Sequence, residues 1–170
     1  MKVYLALETA PGSIEDVREI TRSMFVELQP HQVFGIYDLI VSIDDPAINL
    51  PSKFYEKYIS ELSMRCKEKL RGITSFFVLK NYEKRMPISI AENTQSYAYI
   101  MLSLIPYMSD SVFEKIKELD NVCSVNLCSG VFDGIVEVST KSLDALSDLV
   151  DEIQTFPGVM KTVTLIVKKP

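Results

Sequence analysis

A chain of 170 residues that repeats itself at an offset of 95, each copy reading as strand, helix, strand, strand, helix, strand, predicts an α+β fold. The fold class expected is two ferredoxin-like βαββαβ repeats packed sheet to sheet as an intramolecular pseudo-dimer. Three observations carry this: identities in register between the halves, apolar runs that alternate between strand and helix spacing, and a polar stretch between the copies. Residues 1–80 form the first domain, 81–96 the linker and 97–170 the second domain.

The repeat is visible residue by residue. Tyr4 falls on Tyr99, Leu7 on Leu102, Pro11 on Pro106, Val17 on Val112 and Glu19 on Glu114 without a gap. Downstream, Gly35-Ile36-Tyr37-Asp38-Leu39-Ile40-Val41 echoes Gly130-Val131-Phe132-Asp133-Gly134-Ile135-Val136. The first copy is then longer, with the extra residues in the turn-rich run Asp44 to Pro51 and in a longer second helix.

In copy one, Lys2 to Glu8 reads as a strand, and Ser13 with Asp16 as a capping box opening a helix whose face is Ile14, Val17, Ile20 and Met24. His31 to Phe34, a tight turn at Gly35 and Tyr37 to Ile43 make two adjacent strands. A helix from Ser52 to Leu70 carries Phe54, Tyr58, Leu62, Cys66 and Leu70 at steps of four, and Ile73 to Lys80 closes the unit as a strand. In copy two the strand Tyr97 to Leu104 precedes a capping box of Ser111 and Glu114, with Val112, Ile116 and Leu119 inward. Strands Val122 to Leu127 and Phe132 to Val138 follow. A helix from Ser142 with Leu143, Leu146, Val150 and Ile153 on one stripe leads to the last strand, Val159 to Val167. Asn81 to Gln95 is polar, contains Pro87 and lacks periodicity. An isolated copy would expose Tyr4, Ala6, Tyr99 and Met101 on a bare sheet face, which is the reason for expecting the two copies to pair.

Composition narrows the function. The chain is 47% hydrophobic and 24% charged, which excludes wholesale disorder. Lys and Arg number 18 against 23 Asp and Glu, a net charge of −5 that lacks the basic footprint of a protein binding nucleic acid by itself. No apolar run is long enough to span a membrane, and the opening apolar stretch is interrupted at Glu8, so a cytoplasmic protein is expected. Cys66, Cys123 and Cys128 show no CxxC spacing and are expected as buried reduced thiols.

The residues of copy two carry a family likeness. Ala98-Tyr99-Ile100-Met101, the turn Gly130-Val131-Phe132-Asp133 and the close Phe156-Pro157-Gly158-Val159 with Thr162-Val163-Thr164 resemble the Lrp/AsnC effector-binding domain, also called the RAM domain. Copy one resembles it more faintly through Gly35-Ile36-Tyr37-Asp38 and Gly72-Ile73. The resemblance implies a domain that dimerises through its sheet, assembles further and binds amino acids or similar small effectors. Regulators of that family place a helix-turn-helix ahead of the domain; here the first residues already belong to a strand. The expectation is therefore a small-molecule sensing and oligomerisation protein without its own DNA-binding domain. It would form homo-oligomers and co-assemble with a DNA-binding relative, with no direct nucleic acid and no membrane.

The resemblance places the effector site at the main chain of Gly130, Val131 and Phe132, with Asp133 supporting the turn and Thr162 and Thr164 supplying hydroxyls from one face of the last strand. A simpler account is that the glycine serves the hairpin, Phe132 the core and Asp133 the turn amides. Aligning Gly72 with Gly158 puts Phe76 and Val78 at the threonine positions, so a second site at Gly35, Ile36, Tyr37 and Asp38 is expected to be degenerate. No catalytic residue, metal or cofactor is expected, since His31 is the sole histidine and Asp44-Asp45-Pro46 reads as a turn. Two alternatives stay open: an enzyme of the dimeric α+β barrel type, monooxygenase-like, or a purely structural oligomerisation module.

Overall fold

The computed structural model of the chain describes residues 1–24, 29–82 and 96–168. Its contacts divide it into two units, residues 1–77 with 168–170, and residues 78–167. The first holds β1 (Lys2–Thr9), α1 (Ile14–Met24), β2 (His31–Phe34), β3 (Leu39–Asp44), α2 (Pro51–Phe54), a π-helical turn (Tyr55–Ile59), α3 (Ser60–Cys66) and most of β4 (Leu70–Tyr82). The second holds β5 (Ser96–Leu104), α4 (Ser109–Glu118), β6 (Val122–Ser129), β7 (Gly134–Thr140), α5 (Leu143–Gln154) and β8 (Val159–Val167).

Both sheets are antiparallel and share one strand order. β1 lies between β4 and β3, with β2 beyond β3; β5 lies between β8 and β7, with β6 beyond β7. The offset of the sequence repeat reappears in the pairing, because Tyr4 faces Ser42 as Tyr99 faces Glu137. It reappears again in the turns. Asp38 accepts the Thr9 amide through Oδ2 at 2.7 Å, and Asp133 accepts the Leu104 amide in the same way at 2.7 Å. The Asp38 amide donates to the Leu7 carbonyl and the Asp133 amide to the Leu102 carbonyl, at 2.9 and 2.8 Å. Each aspartate thus ties the start of the third strand to the end of the first, and its charge strengthens the bond to the amide. Gly35, at φ 152°, takes a backbone conformation open to glycine, as the tight turn requires.

Alternate residues of each first strand build the helix-covered core. Val3, Leu5 and Leu7 join Val17, Phe54, Tyr58 and Leu62 in one cluster; Ala98, Ile100 and Leu102 join Val112, Phe113, Ile116, Leu146 and Ile153 in the other. Full burial of each Val, Leu, Ile or Phe side chain among them contributes roughly 1.5–3 kcal/mol. Phe54, Tyr58, Leu62 and Cys66 all reach the core although steps of four overshoot a regular α-helical turn by about 40° each. The wider π turn at Tyr55–Ile59 takes up part of that drift. On the opposite face of β1 and β5, Tyr4, Ala6, Tyr99 and Met101 are buried as well.

Several local expectations give way. Ser111 and Glu114 do not open α4: a 3-10 turn from Pro106 to Met108 leads into a helix that begins at Ser109. Ser111 lies inside it and donates to the Met108 carbonyl, while Glu114 pairs with Lys117. Leu143 is exposed and Leu149 takes the inward place, because Ser142 caps α5 and accepts the Ala145 amide. Gly72 and Gly158 are not equivalent. Gly158 lies ahead of β8, whereas Gly72 lies within β4 opposite Glu8. Leu7 pairs with Ile73 where Leu102 pairs with Thr162, so the counterparts of Thr162 and Thr164 are Ile73 and Ser75, and not Phe76 and Val78. β4 also runs on through Asn81 and Tyr82, and β5 begins at Ser96. Tyr82 packs on Phe113 with ring centroids 5.2 Å apart and donates to Asp110, which Lys80 also holds at 2.8 Å. The remaining expected linker, residues 83–95 with Pro87, lies outside the described residues.

Two predictions follow from this packing. A Cβ on Gly134 would lie 2.5 Å from Cζ of the buried Phe113, so Gly134→Ala should lower the urea unfolding free energy by about 1–3 kcal/mol. The Asp45 carboxylate accepts from Lys57 and Tyr58, and those bonds hold its pKa at about 2, below the ordinary 3.8. A carboxylate whose pKa is lowered on folding stabilises above its unfolded value and loses that contribution as pH falls through the folded one. Acid titration of stability should therefore drop between about pH 4 and pH 2, and Asp45→Asn should flatten that limb.

Candidate functional site

Strand periodicity puts Tyr97, Tyr99 and Met101 on the face of the second sheet away from α4 and α5. Pairing then sets their neighbours. Ser124, Glu137, Tyr99 and Leu165 form one row across β6, β7, β5 and β8, and Asn126, Ile135, Met101 and Val163 form the next. A carboxylate accordingly sits amid a sheet face that is otherwise mostly apolar and aromatic.

The Tyr97 hydroxyl donates to Glu137 Oε2 at 2.6 Å. Its ring stands edge-on to that of Tyr99, with centroids 5.4 Å apart and planes at 87°. Burial pushes both phenols well above their ordinary range, and the Glu137 charge beside them adds to the rise. Both therefore stay protonated donors, while an ionised carboxylate only accepts. Asn126, fully buried, donates through Nδ2 to Ser124 Oγ at 3.1 Å and to the Ile135 carbonyl at 3.4 Å. Cys123 is half-buried beside Tyr97, in the strand irregularity between Val122 and Ser124. A carboxylate held by a phenol at this distance can take or return a proton at Glu137 with its orientation set by Tyr97.

The first repeat keeps the frame and changes the chemistry. Tyr4 stands where Tyr99 does, but Ser42 replaces Glu137, Lys2 replaces Tyr97 and His31 replaces Asn126. The Lys2 ammonium lies 4.9 Å from the centroid of the Tyr4 ring.

The residues singled out from sequence lie elsewhere. Gly130, Val131, Phe132 and Asp133 connect β6 to β7; Val131 is exposed, Phe132 is buried with Lys161 over its ring, and the Asp133 carboxylate holds the Leu104 amide. Thr162 and Thr164 share the helix-side face of β8, where Thr162 accepts from Gln154 at 2.7 Å. The strand β5 separates the turn from the threonines. In the first unit Gly35, Ile36, Tyr37 and Asp38 form the matching turn, with Ile36 exposed and Tyr37 buried. Asp45 accepts the Ala47 amide, as expected of a turn residue. Among the described residues no group of three or more His, Cys, Asp and Glu could hold a metal ion, and no described helix is long and apolar enough to cross a membrane. An open cleft of about 450 Å³ on the helix side, between the end of α4 and α5, presents the carboxylates of Glu118, Asp120, Asp148 and Glu152.

Comparison with known proteins connects these features to a family. Residues 97–170 match the model of the Lrp/AsnC ligand binding domain. Residues 97–170 are thus similar to that domain. No curated protein matches the chain. Among solved structures, the siroheme decarboxylase NirDL shares 9% identity, with 99% of this chain and 71% of that one covered, at a TM-score of 0.75. A mutant chlorite dismutase from Candidatus Nitrospira defluvii in complex with cyanide shares 8%, with 99% and 90% covered, at 0.59. An anthrone oxidase-like protein shares 10%, with 99% and 90% covered, at 0.54.

At such identities the likeness is one of fold. It nevertheless corrects the expectation of a non-enzymatic amino-acid effector module, since the fold that carries the Lrp/AsnC domain here is shared along almost the whole chain with enzymes. The sequence did not single out Tyr97, Tyr99 and Glu137 as site residues. The signal was present in Val136-Glu137-Val138, a charge inside a run of β-branched residues.

The site makes a direct prediction. The chain has eight tyrosines, and alkaline ultraviolet titration of the folded protein should give the same count of ionising phenols in the wild type and in Tyr97→Phe. One fewer in the variant would mean that Tyr97 is open to solvent base.

Proposed function

We propose that the chain is an enzyme of the dimeric α+β barrel type, built of tandem ferredoxin-like repeats, that acts on a small organic molecule at the second repeat. The carrying observation is Glu137, held by the Tyr97 hydroxyl at 2.6 Å on a sheet face of aromatic and aliphatic side chains. Glu137 exchanges a proton with the substrate, Tyr97 orients the carboxylate, and Tyr99 and Leu165 bound the substrate's apolar body. Likeness in fold to a decarboxylase and a chlorite dismutase, over 99% of this chain, supports the reading, as does similarity to a ligand binding domain. The family also supports self-association, and co-assembly with a relative remains part of the proposal.

Incubating the protein with a cellular metabolite extract and following each compound by mass spectrometry tests this. At least one compound should be consumed in more than stoichiometric amount by the wild type, and the rate should fall at least about tenfold in Glu137→Gln, in line with the loss of a positioned acid–base group. Turnover unchanged in that variant would remove Glu137 from the chemistry, and no turnover at all would remove the enzyme reading.

A further inference from the structure

Tyr58, Tyr82 and Tyr97 each donate a hydroxyl to a carboxylate, of Asp45, Asp110 and Glu137 in turn. A phenol that loses an electron becomes a strong acid, so its proton must leave as well, and a base already in the hydrogen bond gives that proton a destination. How well each pair serves depends on the charges around it. At the first two, a lysine sits over the ring and holds the same carboxylate. The Lys57 ammonium lies 5.0 Å from the Tyr58 centroid and 2.7 Å from Asp45, and that of Lys80 lies 4.3 Å from the Tyr82 centroid and 2.8 Å from Asp110. A cation beside a ring opposes removal of an electron from it. Bonds from the lysines, and then from the tyrosines, also hold both aspartates below their ordinary pKa, Asp45 at about 2, which makes them weak bases.

At Tyr97 the setting is the reverse. Its hydrogen bond of 2.6 Å ends on Glu137, whose negative charge acts on the phenol and favours loss of an electron. Burial keeps the hydroxyl protonated to high pH, so the phenolate does not form first and electron and proton leave together. The residue is half-buried, and an electron can leave its ring without a ligand seated on the sheet. In the first repeat Lys2 and Ser42 stand at the places of Tyr97 and Glu137, so this pair is particular to the second.

We propose that Tyr97 is a one-electron donor to an oxidant of the metal-complex class, with Glu137 keeping its proton. In the step the phenol gives one electron to the oxidant, which is reduced by one, and the O–H proton moves along the hydrogen bond to Glu137 Oε2. The products are a neutral phenoxyl radical and a neutral carboxylic acid, and return of one electron brings the proton back. This uses the hydrogen bond of the proposed acid–base chemistry and goes beyond it, because the phenol changes oxidation state and no organic substrate takes part.

The test is oxidation of the full chain by flash-generated tris(bipyridine)ruthenium(III), with pentaamminechlorocobalt(III) as the acceptor that produces it. Phenoxyl formation is followed by its absorption, and the radical is identified by electron paramagnetic resonance. In the wild type the rate should stay level from about pH 6 to about pH 9, where an ordinary carboxylate is ionised and an ordinary phenol is not, and it should slow in deuterium oxide. Tyr97→Phe and Glu137→Gln, each shown to be folded by thermal unfolding, should slow it at least about tenfold, while Tyr58→Phe and Tyr82→Phe leave it unchanged. A rate that rises with pH, a rate unchanged in folded Tyr97→Phe or folded Glu137→Gln, or no phenoxyl at all overturns the proposal. If a variant does not fold, the pH response and the isotope effect of the wild type decide. No turnover is read, so a blank metabolite test leaves this proposal standing, and a missing radical leaves Glu137 as an acid–base group.

Discussion

The bond from Asp133 to the Leu104 amide governs the rest of the second unit. β5 is the strand that both neighbours pair with, and β7 reaches it through a turn in which Asp133 holds Leu104 with its side chain and Leu102 with its main chain. A slip of one residue in a strand turns every side chain to the other face. Such a slip between β5 and β7 would move Glu137 under the helices, or Tyr97 and Tyr99 into the core in place of Ala98 and Ile100. The same lock in the first unit, from Asp38 to Thr9, is further secured by the Thr9 hydroxyl at 3.0 Å from the carboxylate. Burial of the paired strands then holds what the aspartates set.

With the frame common to both repeats, the difference in chemistry comes down to single side chains. A tyrosine on the first strand and a residue opposite it on the third recur; the substitution of Glu137 for Ser42 and Tyr97 for Lys2 turns a face that holds its own cation on an aromatic ring into one with an oriented carboxylate. The high phenol pKa of Tyr97 and Tyr99 follows from burial first and the neighbouring charge second, and it keeps Tyr97 in the protonated state in which it donates to Glu137.

How far the sequence spoke depended on the range of the cause. Repeated identities located the aspartate turns, because their role is local and demands one residue type; β8 was read to the residue from its β-branched run. The capping box at Ser111 misled because Pro106 starts the turn earlier, and helix starts are decided by which donor is satisfied first. The match of Gly72 to Gly158 misled because glycine serves unrelated needs: a positive φ at Gly158 and close approach to Glu8 at Gly72. Glu137, Tyr97 and Tyr99 were not legible as a group since they come together only through pairing between distant strands. The turn Gly130 to Asp133 drew attention as a ligand site by resemblance, while its aspartate is engaged in holding the strand that carries the tyrosines.

The central claim is that the Asp133 lock holds Tyr97 on Glu137. Proton NMR can observe it, because a buried phenolic proton bonded to a carboxylate exchanges slowly and resonates downfield. The wild type should show such a resonance, absent in Tyr97→Phe and lost in a folded Asp133→Ala. Its persistence unchanged in Asp133→Ala, or its absence from the wild type, would contradict the account.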